Sequence, residues 1–161
     1  MKRLFFIPLV FFLALACKKD KAVKPVEIYL LKSFQLVAGK CQVDGASVVL
    51  EDSPLVLNAE IRLYNQAEYF YYLDDIAIQK LKSLTPRTPL AVTVDKKVIF
   101  YGIYMPSIMS STCGESITMD LMPTEKKIFF RLGYPWGMAT IDDQRNNPVI
   151  LSSFRNQRKL R

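Results

Sequence analysis

The sequence contains no histidine. That absence removes Ser–His and Cys–His nucleophile pairs, histidine metal sites and histidine pH switches together. Serine chemistry would then need a lysine base, yet Ser107, Ser110, Ser111 and Thr112 lie where no Ser-x-x-Lys spacing occurs. Glycine is scarce, so the turn at Asp95-Lys96-Lys97 lacks the glycine that a type I′ hairpin prefers. Calcium needs six to eight oxygen ligands, and neither Asp74-Asp75 nor Asp142-Asp143 sits in a spacing that supplies them. Beyond the first twenty residues there is no second long apolar run, no heptad pattern and no internal repeat. No catalytic residue, metal or cofactor is assigned, and an enzyme is not expected.

What is present begins with a leader. Met1-Lys2-Arg3 is basic and Leu4 to Ala16 is apolar. As a helix that run covers only about 20 Å against a hydrocarbon core of ~30 Å, so it suits a secretory signal and is too short to span. Leu13-Ala14-Leu15-Ala16-Cys17 resembles the lipobox of bacterial lipoproteins, although Ala14 stands where a larger aliphatic residue is usual. The resemblance implies cleavage after Ala16 and a lipid on Cys17. Residues 17–25 then form a charged leash that cannot pack, and 26–161 a globular domain. The expected setting is the cell envelope, lipid-anchored to a membrane (the Gram-negative outer membrane, on its periplasmic or surface face).

Composition agrees with one domain outside the cytoplasm. The formal charge is +7, but Lys2 and Arg3 leave with the leader and Lys18, Lys19, Lys21 and Lys24 lie in the leash. The globular part is therefore close to neutral, and nucleic acid is not an expected partner. Cys41 and Cys113 remain as a lone pair, which in an oxidising compartment predicts a disulfide, placed here as a surface staple between two loops.

Along the chain, β-rich stretches are predicted at Val26–Leu31, Ala46–Leu50, Glu68–Leu73, Leu90–Val94, Val98–Tyr101, Ser116–Met122 and Lys127–Leu132. Asp74 or Asp75 caps a helix to about Leu84, with Ala77, Ile78, Leu81 and Leu84 on one face. Asn147-Pro148 opens a second helix with Ile150, Leu151 and Phe154 as its apolar stripe and basic residues at its end. The sum is a single α+β domain with a mainly antiparallel sheet and two clear helices.

That order of elements resembles a known family. Val49-Leu50-Glu51-Asp52-Ser53-Pro54-Leu55-Val56, the aromatic strand, the capped helix, Ala91-Val92-Thr93-Val94-Asp95-Lys96-Lys97-Val98 and Gly114-Glu115-Ser116-Ile117-Thr118 look like the large periplasmic head domain of the SecD protein-export subunit. The likeness covers 48–119. It departs at Lys96 and Met119, where the family has glycine, and no transmembrane motor accompanies it. It implies a fold and a polypeptide-contacting surface, without translocation activity.

Four residues are candidate binding groups. Trp136, between Pro135 and Gly137, is the only tryptophan and suits an anchor in a recognition loop, or a lid on the core. Tyr134 lies beside it. Tyr69 and Tyr71 belong to an aromatic run, Tyr69 to Tyr72, with rings on both faces of one strand. The expected function is a non-enzymatic interaction module for a polypeptide or another envelope component, joined to the membrane through Cys17. A hydrolase inhibitor, or a glycan or small-ligand binder using Tyr69–Tyr72, are the alternatives.

Overall fold

The computed structural model describes residues 23–137 and 139–161. The leader, Cys17 and most of the leash lie outside the described residues. Among those described, no helix is long and apolar enough to cross a membrane.

The described chain forms β1 (Val26–Ser33), β2 (Val49–Leu50), β3 (Ile61–Asn65), β4 (Phe70–Leu73), α1 (Asp75–Lys82), β5 (Pro89–Val94), β6 (Lys97–Tyr104), β7 (Cys113–Met122), β8 (Lys127–Tyr134) and α2 (Pro148–Asn156). The strands make one sheet in the order β2-β1-β5-β6-β7-β8-β4-β3. Every pairing is antiparallel except β6 with β7. The fold is α+β with a mostly antiparallel sheet and two helices, as the sequence predicts.

Local chemistry explains the helices. The Asp74 carboxylate accepts from the Ala77 N–H at 3.1 Å and starts α1. Asn147 accepts from the Val149 N–H at 3.0 Å, and Pro148 takes the position where a missing N–H costs nothing. Ala77, Ile78 and Leu81 of α1 and Ile150 and Phe154 of α2 are buried against one side of the sheet. That core includes Val26, Ile28, Leu90, Val92, Ile117, Met119, Ile128 and Phe130, one residue in two along each strand.

The β5–β6 hairpin closes without glycine. Asp95 and Lys96 both take left-handed φ, 54° and 62°, the pair of angles a type I′ turn demands. The Asp95 N–H donates to the Pro25 carbonyl at 2.9 Å, so β1's lead-in holds the turn in place of a favourable residue type.

Three sequence-predicted features differ. Ala46–Leu50 is not one strand, because Asp44 caps a 3₁₀ turn at Gly45–Ser47 and only Val49 and Leu50 reach β1. The aromatic strand begins at Phe70, since Tyr69 has φ 59° and closes a turn. Past α2 the chain turns back: the Tyr64 N–H donates to Lys159 O and the Arg161 N–H to Tyr64 O, both at 2.8 Å. Residues 159–161 thus run along the outer edge of β3, and the Lys159 ammonium is held by the Asn58 carbonyl.

The Cys41–Cys113 disulfide is present, with Cα atoms 5.6 Å apart. It is not a staple between two surface loops. Cys113 opens β7 and is buried, in a second cluster with Leu31, Val43, Ala91, Ile103, Met105 and Tyr134 on the sheet face away from the helices. The bridge pins the largely exposed segment 34–43 over that cluster. A cross-link spanning 72 residues removes about 4 kcal/mol of unfolded-state entropy on the chain model. Guanidinium titration of the reduced, alkylated protein is expected to show a stability loss of about 2–4 kcal/mol.

Candidate functional site

Side-chain alternation assigns the aromatic residues to opposite faces. Tyr71 and Phe130 point to the helices. Tyr71 is fully buried, edge-on to Tyr64 (ring centres 4.8 Å apart), Phe130 (5.2 Å) and Phe154 (5.4 Å). As a binding residue Tyr71 is therefore corrected: its ring belongs to the core, and burial raises its hydroxyl pKa well above the usual tyrosine value. That hydroxyl has no hydrogen-bond partner among the described residues.

Tyr69 is also spoken for. The Arg145 guanidinium lies 3.5 Å from the centre of its ring. Arg145 is itself gripped by Asp143 through Nε (2.8 Å) and a terminal nitrogen (2.7 Å), and its other terminal nitrogen donates to Phe130 O at 3.1 Å. One face of Tyr69 is thereby closed to a ligand. Tyr134 is buried, and its hydroxyl reaches the carbonyls of Ser107 (2.9 Å) and Met109 (2.7 Å), so it fastens the serine-rich loop to β8.

Trp136 is different. It is 45% exposed, so it is not a lid sealed onto the core. One ring face rests on the Arg131 guanidinium, 3.9 Å from the ring centre, and Tyr134 meets its edge at 6.3 Å. Arg131 also stands 4.7 Å from Phe129, which contacts Phe70 at 5.4 Å, and Lys127 lies 4.7 Å over Phe70. Tyr72 continues the same face and is exposed. The side of β8 and β4 away from the helices therefore carries a row of alternating rings and cations ending at Trp136.

Phe129, Arg131, Lys127 and Phe70 do not stand out in the sequence as site residues. A signal is there, however: between Ile128, Phe130 and Leu132 the alternate positions of β8 read Lys127, Phe129, Arg131, a mixture that suits a half-covered face.

Asp120, paired with Phe129 across β7 and β8, sits under this row and is buried. Its carboxylate accepts the Ser107 N–H at 3.3 Å. Desolvation raises its pKa, against the pull of Ser107 and Arg131. The second Asp120 oxygen and Arg131 Nε have no hydrogen-bond partner among the described residues. Burial lowers the Arg131 pKa against the pull of Asp120, and the guanidinium lies between the rings of Phe129 and Trp136.

The remaining acidic pairs have structural partners. Asp74 caps α1 and meets Arg62 at 3.1 Å, while Asp75 meets Lys126 at 2.9 Å. Glu60, nearly buried, binds Lys80 at 2.6 Å and the Leu57 N–H at 2.8 Å, tying α1 to the turn before β3.

Two open spaces lie elsewhere, beside the disulfide. One, of about 440 Å³, is lined by Lys40, Gln42, Tyr101, Glu115, Ile141 and Asp142, among others. The other, about 580 Å³, lies under the pinned segment, with Phe34, Leu36, Arg87, Ile103 and Met105 around it. Lys40 and Glu115 border both. No family model, curated protein or solved structure matches the chain.

Two stability measurements test these assignments. Tyr71→Phe removes an unpaired buried hydroxyl and is expected to stabilise by about 1 kcal/mol, whereas Tyr134→Phe frees two loop carbonyls and is expected to cost about 1 kcal/mol in denaturant titration. Asp143 is held below the ordinary carboxylate range, first by its hydrogen bonds to the Arg145 side chain. Its contribution is complete above the unfolded value of about 3.9 and is lost as pH falls through the lower folded value. Asp143→Asn should therefore lower the melting temperature at pH 7 by more than it does at acid pH, the difference shrinking as pH falls below about 3.9, read by calorimetry across that range.

Proposed function

We propose that this chain is a non-enzymatic interaction module of the cell envelope, tethered by a lipid on Cys17, that binds a polypeptide or another envelope component through the face ending at Trp136. The observation that carries the reading is the Trp136–Arg131 pair: a half-exposed indole backed by a guanidinium 3.9 Å away. Tryptophan and arginine are enriched among the few residues that dominate the energetics of protein interfaces. Arg131 is already stacked on Phe129 and Trp136, so less freedom is left to lose on binding.

Two sequence features support the same reading. The lipobox-like end at Cys17 implies a membrane tether in the cell envelope, a setting that suits an interaction module. The likeness of 48–119 to the SecD head domain implies a surface that meets polypeptide.

The test is crosslinking in intact envelopes with the native chain, Trp136→Ala and Cys17→Ser. A partner captured by the native chain is expected to fall roughly tenfold or more with Trp136→Ala, and to be lost with Cys17→Ser. Equal capture by Trp136→Ala overturns the assigned face. Mass spectrometry finding Cys17 without lipid overturns the tether.

A further inference from the structure

The parallel junction of the sheet is incomplete. β6 is eight residues long, but β7 pairs with it only at Gly102–Ile117, Ile103–Thr118 and Tyr104–Met119. β5 bonds to the other side of β6 along its length, so among the described residues no strand pairs with the β7 side of Lys97–Phe100. The cause lies in β7. Between its pairs Cys113–Tyr134 and Ile117–Leu132 it spends two more residues than β8 does, while the disulfide holds Cys113 to Cys41. Its first four residues therefore leave the regular ladder.

The direction of the backbone groups follows from alternation. Pro89 has no N–H, and its pair with Ile103 is one that exchanges no bonds. Leu90–Gly102 is then a bonded pair, and Ala91–Tyr101 is again unbonded. Tyr101 accordingly turns its N–H away from β5, toward the gap. The partner it would have in a continued ladder is the Glu115 carbonyl, and the pairing stops before that residue. The 440 Å³ space described above is this gap. Tyr101 and Glu115 stand on its two sides, with Lys40, Gln42 and Asp142 around the mouth.

We infer that the gap between β6 and β7 receives an extended polypeptide segment, bound by main-chain hydrogen bonds as an added strand. The free Tyr101 N–H on β6 faces a stretch of β7 that has left the ladder, and an unused ladder group selects one chemistry. Only an extended peptide presents donors and acceptors alternately at strand spacing. The walls carry both signs of charge in Lys40, Glu115 and Asp142, so the site reads the backbone ahead of side-chain charge. It deepens the polypeptide reading above, at a place apart from Trp136, and the two can fail separately.

The probe is the synthetic peptide Lys-Thr-Val-Thr-Val-Thr-Lys, titrated into the oxidised protein and followed by amide NMR. Before peptide is added, the Tyr101 amide should exchange with solvent roughly tenfold faster than those of Gly102 and Ile103. Peptide is expected to shift and protect the amides of residues 99–101 and 114–116, in Trp136→Ala as in the native chain. N-methylation at alternate central residues of the peptide deletes ladder donors and should weaken binding roughly tenfold. Thr140→Trp, at an exposed position on the rim, should block it while leaving the fold intact. The inference is overturned by a Tyr101 amide as protected as Ile103 in the free protein, by no shifts at millimolar peptide, or by equal binding of the methylated peptide. Self-association without peptide that protects the same amides assigns the gap to a second copy and likewise overturns it. Shifts confined to the surroundings of Trp136 overturn this site and leave the Trp136 face standing.

Discussion

Tyr71 fixes the parity of the sheet. Its ring occupies the space between α2 and the strands, against Tyr64, Phe130 and Phe154. Aromatic pairs of this geometry add about 0.5–1.5 kcal/mol each beyond the area they bury. Because a strand alternates sides, committing Tyr71 and Phe130 to the interior forces Phe70, Phe129 and Arg131 outward. A slip of one residue in β4 or β8 would move each of these side chains to the opposite face of the sheet. The cation–aromatic row is thus a by-product of core packing, and it inherits the core's rigidity.

The sequence reveals most where a single residue type has a single use. Asp74 and Asn147-Pro148 mark helix starts because caps depend on local geometry alone, and both helices lie where these residues place them. A lone cysteine pair has few alternatives, and the bridge forms. The aromatic run is harder. With rings at Tyr69, Phe70, Tyr71 and Tyr72 in succession there is no polar contrast to show which side faces in, so Tyr71 looks as available as Trp136. The answer comes from Phe130 and Phe154, residues distant in sequence. Tyr69 is lost as a site for a similar reason, since the arginine that covers it lies 76 positions further on. The turn of residues 159–161 back onto β3 is likewise hidden, because the basic residues there read equally well as the end of a helix.

The disulfide shapes more than stability. It joins a segment with little regular structure to the first residue of a central strand. That segment then shields the face of β1, β5 and β6 that no helix covers. The sheet is consequently covered on its second side near β1 and left open near β4 and β8. Position along the sheet, rather than any one residue, separates structural surface from surface able to meet a partner.

Residues 159–161 lying along β3 have a consequence for how the molecule lives among its own kind. One rim of the sheet is occupied by the chain's own tail, and the other ends in the two-residue β2 with residues 51–56 folded against β1. A sheet whose rims are occupied gives neighbouring copies little to zip onto. The unspent backbone then faces an interior seam that another whole sheet cannot enter, and a slender guest chain can.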